Sequence, residues 1–226
     1  MLVTETLQYK RLVRQYDLGL LYRPNLPLIA YTFLSGLGSA LATLANLTGT
    51  QASTFGKARE LARLKRKARE ALRSACAAIN RIAIAVAVET PGFDDKFEMP
   101  VVGDEKLLTA GRSFAEDAAP NSAVFITHAL PASFIEDLKT DVQNFEQAIK
   151  NSSDGDHACD AVMNTIDATM DQAVAAAKRL DALVRNTFRD DPTKLDEWDR
   201  ASELGRSKSK PAEAETKPAA QSPPAA

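Results

Sequence analysis

A chain of 226 residues with 45% apolar side chains can bury one substantial core. Its 2 cysteines exclude a disulfide scaffold, and a formal net charge of -2 excludes a global field drawing the protein to nucleic acid or anionic lipid, so such binding would have to come from a local patch. Sparse glycine, 6% aromatic residues and the dominance of Ala, Leu, Lys, Arg, Glu and Asp are the composition of helices, and the expectation is an all-α chain.

Residues 1–24 mix Glu5, Lys10, Arg11, Arg14, Asp17 and Arg23 with Leu2, Leu7, Leu12 and Leu20. This pattern lacks the early apolar run of a secretory signal, so the expected location is cytoplasmic, with inner-membrane association as the alternative. The interval from Pro24 to Gly56 carries no charge, and residues 26–47 are long enough to cross a bilayer, which takes about 20 residues. Thr32, Ser35, Ser39, Thr43, Asn46, Gly36 and Gly38 dilute its hydropathy, which favours a buried helix, or two short ones broken near Gly36–Gly38, over a span.

A long helix is predicted from about Gln51 to Glu89, capped by Thr50 or Ser53 and stopped by Thr90-Pro91-Gly92. Its apolar positions Leu61, Leu64, Ala68, Leu72, Ala75, Ile79, Ile82 and Val86 recur at steps of three and four and read as a bundle seam. Residues 82–88 are apolar on every face, which predicts neighbours all round. Phe93 and Phe97 lie in a loop closed by Pro100 and Gly103 and are expected to plug the bundle end. Asp104 is the expected cap of a helix through Leu107, Leu108, Phe114 and Ala118, broken near Pro120 and resuming over 121–130.

The second long helix is predicted over 132–189. Leu138, Val142, Phe145, Ile149, Ser152, Asp156, Cys159, Met163, Ile166, Met170, Ala173, Ala177, Leu180 and Val184 all follow steps of three or four. Asn151-Ser-Ser-Asp-Gly-Asp156 has the composition of a turn, yet the apolar phase agrees on both sides of it. One continuous helix weakened at Gly155 is therefore expected. Leu195, Trp198 and Ala201 share a face of a short helix over about 193–204, and Trp198 should dock on the bundle. Residues 205–226, rich in Pro, Ala, Lys and Glu, have nothing to bury and are expected to form a disordered tail. The expected architecture is an elongated antiparallel helical bundle with two heptad-patterned, coiled-coil-like helices at 51–89 and 132–189. It forms one domain over 1–204, with N-terminal helices in 1–49 and a long-helix core in 50–204.

The chemistry-bearing patterns are few. Lys57, Arg59, Arg63, Lys65, Arg66, Lys67, Arg69 and Arg73 outnumber Glu60 and Glu70, and Lys57, Arg59, Arg63, Arg66, Lys67 and Arg73 form the candidate interaction face. Residues 133–172 carry the opposite excess in Glu136, Asp137, Asp141, Glu146, Asp154, Asp156, Asp160, Asp167 and Asp171. The simplest expectation sets the two helices side by side, with basic and acidic flanks facing each other along a shared seam. Nucleic-acid binding is not favoured, since no aromatic residue interrupts the basic run to stack on a base.

His128 and His157 are the chain's histidines. No Glu-x-x-His pair, phosphate-cradling glycine loop or nucleophile motif occurs. The Asp154-Gly-Asp156-His157-Ala-Cys159-Asp160 cluster reads as a solvated polar interruption rather than a metal site, His128 as a helix cap or surface residue, and Cys76 and Cys159 as small buried apolar side chains. Neither a catalytic residue nor a cofactor is expected. At Pro91-Gly-Phe-Asp-Asp-Lys-Phe-Glu-Met-Pro100 and Val184-Arg-Asn-Thr-Phe-Arg-Asp-Asp-Pro192 the chain resembles a group of uncharacterised bacterial all-helical proteins, over about residues 50–203. That resemblance implies a helical fold and carries no activity, cofactor or site residue. The functional expectation is a non-enzymatic structural or interaction protein that associates with itself or a protein partner. A membrane-tethered protein using 26–47, and a nucleic-acid-associated protein using the 57–73 face, are the alternatives.

Overall fold

A computed structural model of the chain describes residues 3–101 and 103–203. The expected disordered tail lies outside the described residues. Among those residues there are six α-helices and no strand: α1 (Val3–Tyr22), α2 (Leu28–Ala87), α3 (Asp104–Ala118), α4 (Ser122–Thr127), α5 (Phe134–Thr187) and α6 (Pro192–Ser202). The all-α expectation and the two long helices stand. So does the continuity of α5 through Ser152–Asp156, where the apolar phase outweighed the turn composition.

The first long helix differs from expectation. It starts at Leu28 and absorbs the whole charge-free interval, with neither a break at Gly36–Gly38 nor a cap at Thr50 or Ser53. The hydroxyls read as caps bond back into the helix instead. Thr50 Oγ1 donates to Asn46 O at 3.4 Å, and Ser53 Oγ donates to Thr50 O at 2.9 Å. A hydroxyl satisfied by a preceding carbonyl does not terminate a helix.

Contacts group the chain into two compact units, Ala42–Met170 and a unit formed by Met1–Leu41 with Asp171–Ala226, to both of which α2 and α5 contribute.

In the unit containing the chain's beginning, the charge-free segment is amphipathic. Ala30, Leu34, Leu37 and Leu41 are buried, while Thr32, Ser35 and Ser39 are exposed. Gly19 lets α1 approach closely, because a Cβ there would stand 2.7 Å from Leu34 Cδ2 and 3.2 Å from Leu180 Cδ2. Arg179 lies over the Phe33 ring at 5.6 Å, which places the α5 chain beside α2. Helix α6 opens with Pro192 after the Asp191 carboxylate, which accepts from Lys194 N–H and holds its own titration below the usual carboxylate range. It docks through Trp198, which is fully buried and donates from Nε1 to Asp181 Oδ1 at 2.7 Å. Arg185 bridges Asp181 and Asp199, and Tyr22 Oη donates to Glu197 Oε2 at 2.7 Å.

In the Ala42–Met170 unit, Leu72, Cys76, Ile79 and Ala83 of α2 pack with Leu107, Phe114 and Ala118 of α3, Phe125 of α4, and Leu138, Val142 and Phe145 of α5. The two loop phenylalanines do plug this core. Phe97 contacts Phe114 and Phe125 edge-on, each at 5.4 Å, and Phe93 stacks on Phe97 at 5.8 Å. Asn80 Nδ2 fixes the loop by donating to Phe97 O at 2.7 Å. The break near Pro120 is present as a 3-10 turn over Ala119–Asn121, and α4 ends at Thr127, short of the expected 130. Two local expectations fail here. Asp104 is not a cap: Gly103 precedes α3, and the Asp104 carboxylate turns to Lys65 and Arg69 of α2. The end of α2 is not enclosed either: Ala83 is buried and Ile82 packs half-buried against the core, while Ile84 and Val88 are exposed.

Candidate interaction surface

Within the Ala42–Met170 unit, α2 and α5 run antiparallel. Gln51 Nε2 donates to Met163 Sδ, Leu61 Cδ1 stands 3.0 Å from where a Cβ of Gly155 would be, and Leu72 and Val142 both close on Gly111. Gly155 is thus a close-approach position: α5 reaches α2 there because no side chain intervenes.

Cover is uneven along this pair. No residue of α2 between Leu44 and Leu72 is buried, and between Phe145 and Ile166 of α5 only Ser152 is. Two shallow concavities of about 370 Å3 follow the stretch, both lined by α2 and α5 alone. One lies at Thr54, Lys57, Leu61, Asn151 and Asp154, the other at Leu64, Lys67, Ala71, Asp141 and Gln147. The seam positions Leu61 and Ala68 are half-buried and Leu64 is exposed, so this part of the seam is an open, partly apolar surface.

All six residues of the candidate basic face are exposed: Lys57, Arg59, Arg63, Arg66, Lys67 and Arg73. Among the described residues none of them makes an ion pair. The two basic residues of the run outside that set, Lys65 and Arg69, share the Asp104 carboxylate at 2.9 and 3.0 Å. The expected pairing of basic α2 flank with acidic α5 flank is therefore corrected. The helices are neighbours, but among the described residues no ion pair joins them.

Helical phase gives the reason. Arg59 and Arg63 lie two residues either side of Leu61, about 200° of rotation at 100° per residue, so with Arg66 and Arg73 they occupy the back of α2, away from α5. Asp156, Asp160 and Asp167 likewise occupy the back of α5, since Asn151, Gly155 and Ala158 are the residues beside α2. Lys57 shares a concavity with Asp154, and Lys67 with Asp141, without an ion pair in either case. Counting charges along the sequence detects this opposition of sign but not the phase.

The remaining chemistry-bearing residues are dispersed. Cys76 is buried, and burial, reinforced by the Asp141 charge, pushes its thiol up to about 12, while Cys159 is half-exposed. His157 is exposed, and among the described residues no three His, Cys, Asp or Glu side chains come together to hold a metal ion. His128 is exposed at the end of α4, as expected, with Nδ1 2.9 Å from Val124 O. Asp141 is held above its usual carboxylate range by partial burial and by Asp137. By length and composition α2 contains one segment apolar enough to cross a membrane.

Comparisons with protein-family models, curated proteins and solved structures give no match.

Proposed function

We infer that the chain is a non-enzymatic helical interaction module, acting through protein contacts on the open stretch of α2 and α5. One observation carries this reading: over residues 45–71 no α2 side chain is buried, although Leu61, Leu64 and Ala68 keep the spacing of the seam that continues into Leu72. A seam that is patterned but uncovered is surface held in readiness for another helix. The exposed Lys57 and Lys67 add polar contacts around it.

Phase within α2 weighs against a membrane span. From Ala30 to Leu41 the apolar residues Ala30, Leu34, Leu37 and Leu41 are buried, and Thr32, Ser35 and Ser39 are turned outward, the reverse of what lipid selects, although Leu28 and Ile29 at the start of α2 are exposed. This supports a cytoplasmic location. Nucleic acid is a poorer partner for the basic face, because acidic residues outnumber basic ones in the Ala42–Met170 unit and repel phosphates.

A photo-crosslinking side chain at Leu64, compared with one at Asp190, tests the reading in cells expressing the protein. Protein adducts should form from Leu64 and not from Asp190. Equal yields from both positions, or none from Leu64, overturn it.

A further inference from the structure

The two charged backs in the Ala42–Met170 unit match each other. Arg59 and Arg66 stand seven residues apart on α2, as Asp160 and Asp167 do on α5; two helical turns separate each pair, about 10 Å. All four are exposed, and among the described residues none of them has an ion-pair partner. Only Glu70 interrupts the arginine row, which runs about 20 Å from Arg59 to Arg73. Because the rows face away from each other, one chain cannot satisfy its own rows, whereas two chains can.

We propose that a second copy of this chain is the partner, and that the arginine back of α2 in one copy docks on the aspartate back of α5 in the next. This rests on the reading of the chain as an interaction module and names its occupant. The near-balanced net charge of -2 supports it, since copies suffer little mutual repulsion while their local rows attract. The contact is heterologous: each copy offers one row and leaves the other vacant. Assembly therefore continues past the dimer into rings or rows unless the rotation closes early. Specificity and encounter rate come from the charges.

Light scattering of the full chain tests this at about 10 mM salt, where charges act over roughly 30 Å, and at about 1 M, where they act over roughly 3 Å. Mass should rise above two chains with concentration at low salt and return to one chain at high salt. The double variants Arg59→Glu with Arg66→Glu, and Asp160→Arg with Asp167→Arg, should each be monomeric at low salt with unchanged helical circular dichroism. Mixing the two should restore assembly, because each then carries rows complementary to the other's. Combining all four substitutions in one chain should restore it as well. A wild-type protein monomeric throughout overturns the proposal, as does assembly indifferent to salt and to the swaps. In either case crosslinking at Leu64 still decides separately whether the chain is an interaction module. Binding of the monomer to a DNA duplex or to anionic vesicles through the same arginines also overturns the second copy as the occupant.

Discussion

The same two helices make both the tightest and the loosest part of the Ala42–Met170 unit. From Leu72 to Ala83, α2 meets α3, α4 and the phenylalanine cluster, and its seam is shut off from water; from residue 45 to 71 it has the same spacing and no buried side chain. Apolar period therefore specifies which side of a helix faces a neighbour, while the number of neighbours specifies how much is stabilised. Removing Phe97, with 1% of its surface exposed, should cost about 3–5 kcal/mol as Phe97→Ala. Leu61→Ala should cost nearer 1 kcal/mol, since its side chain has water on one side already. Denaturant unfolding checks the pair, and equal losses would mean that the open stretch is covered in solution.

Glycines sharpen the same contrast at intermediate size. A Cβ at Gly111 would stand 2.8 Å from Val142 Cγ2 and 2.9 Å from Leu72 Cδ1, both held in the cored end, whereas at Gly56 of the open stretch nothing lies within 4 Å. Gly111→Ala should destabilise by roughly 1–3 kcal/mol through overpacking. Gly56→Ala should instead stabilise by up to about 1 kcal/mol, through the unfolded chain and helix propensity. A gain at both positions would show that the core near Gly111 yields freely.

Thiol labelling reads the two ends without altering packing. Cys159, half-exposed, should react with an aromatic disulfide reagent in the native protein. Cys76, buried and with its thiol held up to about 12, should react only after unfolding. Two equally fast thiols would place Cys76 in a region that opens locally.

Much of the fold was legible in the sequence because helices announce themselves by period. The continuity of α5 followed from phase agreement on both sides of Ser152–Asp156, and the docking of Trp198 followed from its shared face with Ala201. What failed was of another kind. Thr50 and Ser53 have the chemistry of caps, but a hydroxyl bonds equally well to a carbonyl one turn back, and only the structure shows which it does. The apolar end 82–88 does not state how many neighbours surround it, so Ile84 and Val88 were expected inside and lie outside. For the candidate surface, Lys57, Arg59, Arg63, Arg66, Lys67 and Arg73 could be named from charge alone. That Arg59, Arg63, Arg66 and Arg73 turn their backs on α5 required knowing which seam positions touch Gly155.

The smallest expected effect probes the boundary between the covered and open regions, at Asp141. Its carboxylate lines the concavity beside Leu64 and Lys67, sits one turn after Asp137, and lies near enough to raise the Cys76 thiol. Among the described residues it has no ion-pair partner, and burial and Asp137 both raise its pKa in the folded state. A carboxyl with a raised folded pKa binds its proton more tightly folded than unfolded, so at neutral pH its charge opposes folding. As pH falls through the folded pKa the native state takes up the proton first and the opposition lifts, until the unfolded chain is protonated too. Asp141→Asn should therefore stabilise the protein at pH 7, by no more than a few tenths of a kcal/mol given how much of the group water still screens. The gain should shrink as pH falls toward about 4, the ordinary carboxylate value. Thermal unfolding of variant and wild type across that range supplies the test. A loss of stability at pH 7 would instead mean that Lys67 or another cation engages the Asp141 carboxylate in solution, and that the two long helices do exchange charge across their open stretch.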